Sequence, residues 1–469
     1  MLLLQGASVS FCQNKNTAQP ITDAAGKLHI KDIIIKGNKK TKDYIILREM
    51  QFKKGDSIAI ATLNEELEQA RRQVYNTTLF SEVKMEIAVL SAYDIMVVVD
   101  VRERWYIYPV PQFKMVDRNF NEWVKTYNAS LSRVNYGLKF VHYNLSGRRD
   151  QLRIFLLNGF SRDFSFSYNA PYSNKALSEG FVIGAGYSQK KEIAYKTNYS
   201  DTLLFYTSDS VRSKFVGSTF YVSAGYTLRK GFFSKHYFNA GFSRMMVSDS
   251  IILPKNNPNY FNNGKAAANI IDLSYTYQYV NVNNVLYATK GKSAFISLKK
   301  TGLGFTGGIN SFTAEAGLNR YFDLGKKWYS SIQLNGKIRL PLYQAYINQR
   351  GLGYGDSYLR GLEYLVIDGV GTGLIKTTLK KKFIEFKIPL PFKIKSLPYI
   401  PFTFFAKTYG DLGYVYNKKP FVTRLNNQLL YTGGFGIDML TFYDINLRLE
   451  YSFNQLGQKG LFLHTQSGF

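Results

Sequence analysis

Cysteine occurs once, at Cys12, and nowhere in the body of the chain, which excludes a disulfide framework and any thiolate metal site there. No apolar run of roughly 18 residues or more follows the N-terminus, so the sequence offers no membrane-spanning helix. Histidine is nearly as scarce. His29, His142, His236 and His464 are scattered, and ordinary surface or strand positions explain them better than a metal site. The Gly-x-Ser-x-Gly elbow of serine hydrolases and the His-Glu-x-x-His signature of zinc proteases are both missing. Gly302-x-Gly304-x-x-Gly307 has dinucleotide spacing, but it follows a strand and opens no helix, so it reads as a glycine-rich loop. The expectation is a protein that is not an enzyme and needs no cofactor and no metal.

What is abundant points to strands: 469 residues hold 36 Tyr, 35 Phe and 38 Gly, and aromatics make up 16%. The mean hydropathy of −0.19 suits a soluble protein. Transmembrane β-barrels reach similar values, because lumen-facing polar residues dilute the lipid-facing ones along each strand. Net charge is +27. Residues 1–104 carry 15 Lys and Arg against 13 Asp and Glu, and residues 105–469 carry 45 against 20, so +25 of the excess lies in the second part. No nucleic-acid module accompanies it; cationic loops and rims can equally meet anionic lipid head groups, or simply keep loops solvated.

Residues 1–12 resemble the apolar part of a secretory signal without its basic start, ending in small residues ahead of Gln13. A lipidated Cys12 is the alternative, although the small residue usual just before such a cysteine is lacking. Residues 13–27 read as a linker, and residues 28–104 as a compact α+β unit. Leu28 to Lys36 alternates as a strand and ends at the turn pair Gly37-Asn38. Thr41 can cap a short helix through Met50, and Thr62 opens a second, where Leu63, Leu67, Ala70 and Val74 recur at helical spacing. Strands at 83–90 and 94–103 complete the order strand, helix, helix, strand, strand.

From Trp105 the pattern becomes strands of roughly ten residues separated by polar or glycine-rich turns. From Asp444 to Asn454, Ile445, Leu447, Leu449, Tyr451 and Phe453 share one face, and Asp444, Asn446, Arg448, Glu450, Ser452 and Asn454 the other. About sixteen such strands can be placed from 105 to 469, an even number that permits antiparallel closure within lipid. The predicted fold is therefore mainly β: a 16-stranded antiparallel transmembrane barrel over 105–469, preceded by one small β-α-α-β-β domain.

Two motifs stand out within it. A segment of about thirty residues between the eleventh and twelfth strands contains Leu359-Arg360-Gly361, and Tyr409-x-Asp411-x-Gly413 follows on the thirteenth strand. Lys407, Tyr409 and Asp411 have the parity opposite to Phe402, Phe404 and Leu412, which points Asp411 into the lumen. Together these resemble the outer-membrane assembly and translocation superfamily that includes the BamA and TamA insertases, and residues 28–104, with Gly37 after the first strand and Phe80 before the second, resemble its periplasmic POTRA domain. Asn144 to Arg148, Asp163 to Tyr172 and Leu286 to Gly291 resemble the family's early strands and mid-barrel turn.

The resemblance implies a loop at about 340–370 folded into the barrel and locked by Leu359, Arg360, Gly361, Tyr409, Asp411 and Gly413. It implies a lateral seam between first and last strands, assigned to Pro109, Pro111, Leu461, Leu463 and the terminal Phe469. The prolines would weaken that seam, or else lie in the linker just before the strand. The implied setting is a Gram-negative outer membrane with the POTRA domain in the periplasm. The implied work is insertion of barrel proteins or translocation of polypeptides, and the implied partners are unfolded outer-membrane or secreted polypeptides, outer-membrane lipids including anionic lipopolysaccharide, and accessory lipoproteins, with no nucleic acid. A dedicated secretion pore for one partner protein, or a porin-like or structural subunit, is the alternative.

Overall fold

The computed structural model describes residues 26–115, 128, 130–207, 214–303, 309–355, 357–391, 396–418 and 423–466. The signal-like stretch at 1–12, most of the linker, Gly304, Gly307 and Phe469 lie outside these residues.

The first unit comprises β1 (Lys27–Lys36), α1 (Asp43–Leu47), β2 (Ser57–Ala59), α2 (Ile60–Tyr75), β3 (Phe80–Val89) and β4 (Asp94–Glu103), with sheet order β2-β1-β4-β3 and β1 parallel to β4. Alternation in β1 and β4 sends Leu28, Ile30, Ile95, Val97 and Val99 to one side of the sheet, where Leu67, Ala70 and Val74 of α2 cover them. Phe80 is fully buried at the start of β3, and Gly37 turns the chain with φ +86 directly over the Val101 carbonyl. Thr41 does not cap α1. The helix starts at Asp43 after Lys42, and the buried Thr41 hydroxyl instead accepts from Asn144 Nδ2 at 2.9 Å. Thr62 lies within the first turn of α2, bonded to Glu66 at 2.8 Å, and the three-residue β2 is too short to show a period.

The second unit is one 16-stranded antiparallel sheet. Its strands are β5 (Ile107–Met115), β6 (Val134–Tyr143), β7 (Gln151–Gly159), β8 (Ser161–Ala170) and β9 (Glu179–Lys190), then β12 (Gly217–Lys230), β13 (Ser234–Val247), β14 (Ala267–Val282), β15 (Gly291–Thr301), β16 (Ser311–Gly325) and β17 (Trp328–Leu340), and finally β20 (Gly371–Pro389), β21 (Tyr399–Tyr416), β22 (Leu429–Leu440), β23 (Asn446–Asn454) and β24 (Lys459–Gln466). Two short hairpins lie in loops: β10 (Glu192–Thr197) with β11 (Leu203–Thr207), and β18 (Arg350–Leu352) with β19 (Ile367–Asp368). β23 starts at Asn446 rather than Asp444, because Tyr443 and Asp444 take left-handed φ values of 56 and 60 and end the extended run.

The faces are inverted relative to a soluble protein. In β23, Asn446, Glu450 and Ser452 are buried while Leu449 and Phe453 are exposed; in β17, Ile332, Leu334, Ile338 and Leu340 are all exposed. An apolar exterior around a polar interior matches lipid outside and water within.

The POTRA-like unit sits against the rim formed by the even-to-odd barrel turns. Arg229, at the end of β12, makes two 2.6 Å bonds to Glu49, which also accepts from Tyr172 at 3.1 Å. Arg104 reaches Asp444 at 2.8 Å and the Tyr443 carbonyl at 3.1 Å, in the turn between β22 and β23. Asn76 donates to the Val282 carbonyl at 2.9 Å, and Lys42 N–H to Gly147 at 3.1 Å. Since residues 104 and 105 lead into β5, while Tyr443 and Asp444 lead into β23, these contacts set the start of the first strand beside the start of the penultimate one at the base. There, Trp105 N–H donates to Tyr443 Oη at 3.2 Å.

Candidate functional site

The segment 341–370 leaves β17 at the end away from the POTRA-like unit and turns back into the barrel. Its apolar residues fix its path: Leu352, Leu359, Leu362, Leu365 and Ile367 form a buried cluster with Val415, Leu425 and Leu430 of the wall and neighbouring loop. The β10–β11 hairpin adds a polar anchor, the Asp201 carbonyl accepting from Val366 N–H at 2.8 Å.

Arg360 stands at the tip of this fold. Its backbone N–H and Nε donate to Asp411 Oδ2 at 3.2 and 2.8 Å, and Nη2 pairs with Oδ1. The remaining donors go to Thr378 Oγ1 and the Thr377 carbonyl on β20, both at 2.9 Å. The guanidinium lies 4.0 Å over the Tyr409 ring, and Tyr409 Oη is 2.6 Å from Ser452 Oγ on β23. The Asp411 side chain is 0% exposed and that of Arg360 10%, so water cannot replace either partner. Bidentate geometry, a cation–π contact and two wall acceptors converge on one side chain.

The glycines of the motifs have separate reasons. Gly361 adopts φ +93 and approaches Ser452; its carbonyl accepts from Asn454 Nδ2 at 2.8 Å. A Cβ on Gly413 would lie 2.6 Å from a methyl of Leu359 and 3.3 Å from one of Leu352, so the loop can seat only where β21 carries no side chain. The structure thus brings Leu359, Arg360, Gly361, Tyr409, Asp411 and Gly413 into one contact set. Composition and spacing gave no sign of the Thr377 and Thr378 contribution.

Beneath the loop is a luminal cavity of about 800 Å³ with a dense charge network. Lys407 pairs with Asp438 and, at 2.6 Å, with Glu450; Tyr287 Oη donates to Asp438 at 2.8 Å. The loop also reaches the last strand: Tyr358 stacks on His464 at 5.5 Å, and Tyr364 lies 5.3 Å from Phe462. It therefore spans the lumen from β20 and β21 to β24.

The seam residues fall at the two ends of the sheet. Among the described residues β5 pairs only with β6, and β24 only with β23. Tyr143 N–H bonds to the Tyr106 carbonyl at 2.8 Å, which fixes the even-numbered residues of β5 as those bonded to β6. Pro109 and Pro111 are within the strand, opposite Phe140 and Leu138, and their odd parity turns the missing donors toward the free edge. On β24, the Asn454 N–H to Gln458 carbonyl bond of 3.1 Å sets the same rule, so the backbones of Leu461 and Leu463 face that edge while their side chains are exposed.

Residues 28–104 match the family described as POTRA, surface antigen variable number repeat. No curated protein sequence matches the chain. Two solved structures resemble it over nearly its full length: BamA from Haemophilus ducreyi lacking POTRA domains 1–3, with TM-score 0.52, 15% identity and coverage of 94% of this chain and 84% of that one, and CdiB from Escherichia coli, with TM-score 0.54, 12% identity and coverage of 93% and 75%. At such identities the likeness is one of fold. The chain thus joins a POTRA domain at 28–104 to a 16-stranded antiparallel sheet of the fold that these two structures share.

Proposed function

We propose that the protein works in an outer membrane, moving polypeptides into or across it by way of a seam between β5 and β24. The observation that carries this reading is the edge of β5. Of its odd positions 107, 109, 111, 113 and 115, two are prolines, so two of the five donors that would zip it to β24 do not exist. A barrel built only for passive permeation gains nothing from an unzipped edge in lipid, where every unpaired backbone group is costly.

The other parts fit this use. β3 is a ten-residue edge strand of the POTRA sheet, paired among the described residues only with β4, and suited to receive a client strand. The locked loop holds the inner wall while the seam changes. Energy would come from client folding, and the chain would do no bond-making chemistry of its own.

Depleting the protein from cells and profiling outer-membrane proteins tests the reading. Loss of many barrels is the result expected of an insertase, loss of one secreted protein that of an exporter, and an unchanged profile would overturn both. A Phe113→Cys, Leu463→Cys crosslink should trap the seam; full activity in the trapped form would exclude lateral opening.

A further inference from the structure

We propose that Glu363, Glu450 and His464 form a transition-metal site, with Zn²⁺ as the natural occupant, that clasps the inward loop to the last two strands. Their ligand atoms lie within 4.8 Å of one another. Each comes from a different element: Glu363 from the loop three residues after Arg360, Glu450 from β23 and His464 from β24.

Distances separate this arrangement from an ordinary ion pair. His464 Nε2 lies 3.4 Å from Glu363 Oε1 and 3.4 Å from Glu450 Oε2. A charge-assisted N–H to carboxylate bond would close to about 2.7–2.9 Å. Nitrogen and oxygen ligands each about 2.0–2.2 Å from Zn²⁺ at the tetrahedral angle are about 3.4 Å apart. Both Glu363 Oε1 and His464 Nε2 are shut from solvent without a hydrogen-bond partner, two polar atoms aimed at one point.

The surroundings hold the ligands as an outer shell does. Glu363 Oε2 accepts from Gly361 N–H at 2.6 Å, leaving Oε1 turned inward; Glu450 Oε1 is held by Lys407 at 2.6 Å, leaving Oε2 turned inward. Tyr358 and Phe462 stack on the imidazole at 5.5 and 6.5 Å and set its plane. One nitrogen and two carboxylate oxygens make a borderline donor set that suits Zn²⁺ better than Ca²⁺ or Mg²⁺, which take oxygen alone. The fourth position faces the luminal cavity, where His464 is partly exposed.

The test uses the full chain in detergent, stripped with chelator and dialysed against Zn²⁺, Ca²⁺ or Mg²⁺, with bound metal counted by mass spectrometry. One Zn²⁺ per folded chain is expected, weakened at least about 100-fold by His464→Ala and by Glu363→Gln, each first shown to be folded by its heat-sensitive gel mobility. Should either variant fail to fold, Co²⁺ loaded into the wild type provides the reading: intense visible bands of a tetrahedral site, displaced by Zn²⁺, are expected. No stoichiometric Zn²⁺ uptake, uptake unchanged in both folded variants, preference for Ca²⁺, or octahedral Co²⁺ bands would each overturn the proposal.

Discussion

Replacing Arg360 by alanine should be among the most damaging single changes in the chain. The substitution removes the cation from an aspartate whose side chain is 0% exposed, and strips Thr378 Oγ1 and the Thr377 carbonyl of their donors. Breaking one half of a buried ion pair costs about 3–5 kcal/mol, whereas an exposed pair would cost at most about 1 kcal/mol. The loop's docking equilibrium should fall by roughly two to three and a half powers of ten. Urea unfolding in detergent, followed by gel mobility and by protease cleavage within 341–370, measures both barrel stability and loop release. Arg360→Ala combined with Asp411→Ala should recover much of the loss, because it deletes the stranded charge. Exchanging the pair, Arg360→Asp with Asp411→Arg, should recover less: the Thr377 carbonyl suits a donor on the loop side and would face a carboxylate. A loss below about 1 kcal/mol for Arg360→Ala, or a double variant worse than the sum of its singles, would refute the reasoning.

Gly413→Val should push Leu359 from its seat at a cost of about 1–3 kcal/mol, partly relieved by adding Leu359→Ala; equal protease resistance in all three chains would count against this fit. Pro109→Val with Pro111→Thr restores two donors to the free edge and should raise barrel stability by about 1–3 kcal/mol while slowing activity, measured by unfolding midpoint and client insertion; a faster variant would contradict the seam. Burial pushes the Glu49 carboxyl up, but the hydrogen bond and charge of Arg229, with Arg149 and Arg48, more than offset this and hold it below its ordinary 4.5. A depressed carboxylate contributes stability above its unfolded value and loses it as pH falls through the folded value, so POTRA docking, followed by energy transfer between domain and rim, should stay constant from about pH 7 to about pH 5 and weaken only below about 4.5. Glu49→Gln should dock poorly throughout and lack the acid step; an acid transition centred near neutrality would refute the assignment.

The strand architecture was legible in the sequence because a half-wet strand writes period two into its residues, and 444–454 shows how far that signal goes. Alternation carried the expected strand two residues too far, since the left-handed turn at Tyr443 and Asp444 leaves no mark on hydropathy. Asp411 could be assigned a side by parity alone. Thr377, Thr378 and Ser452 could not be attached to it, because cross-strand register over long loops is set by the fold and not by local spacing. His464 was read as an ordinary strand residue for the same reason: its neighbours Glu363 and Glu450 are about a hundred residues and fourteen residues away in the chain.

The seating of the POTRA unit on the barrel has a mechanical meaning. A rigid body held at one point can still pivot in every direction, and one held at two can turn only about the line joining them. Glu49 on Arg229, Arg104 on Asp444, Lys42 on Gly147 and Asn76 on Val282 are four separate anchors around one rim, which leaves no free rotation. Movement of this domain is consequently stepwise: it stays put until at least two anchors part, and the pair that remains sets the axis about which the POTRA unit swings.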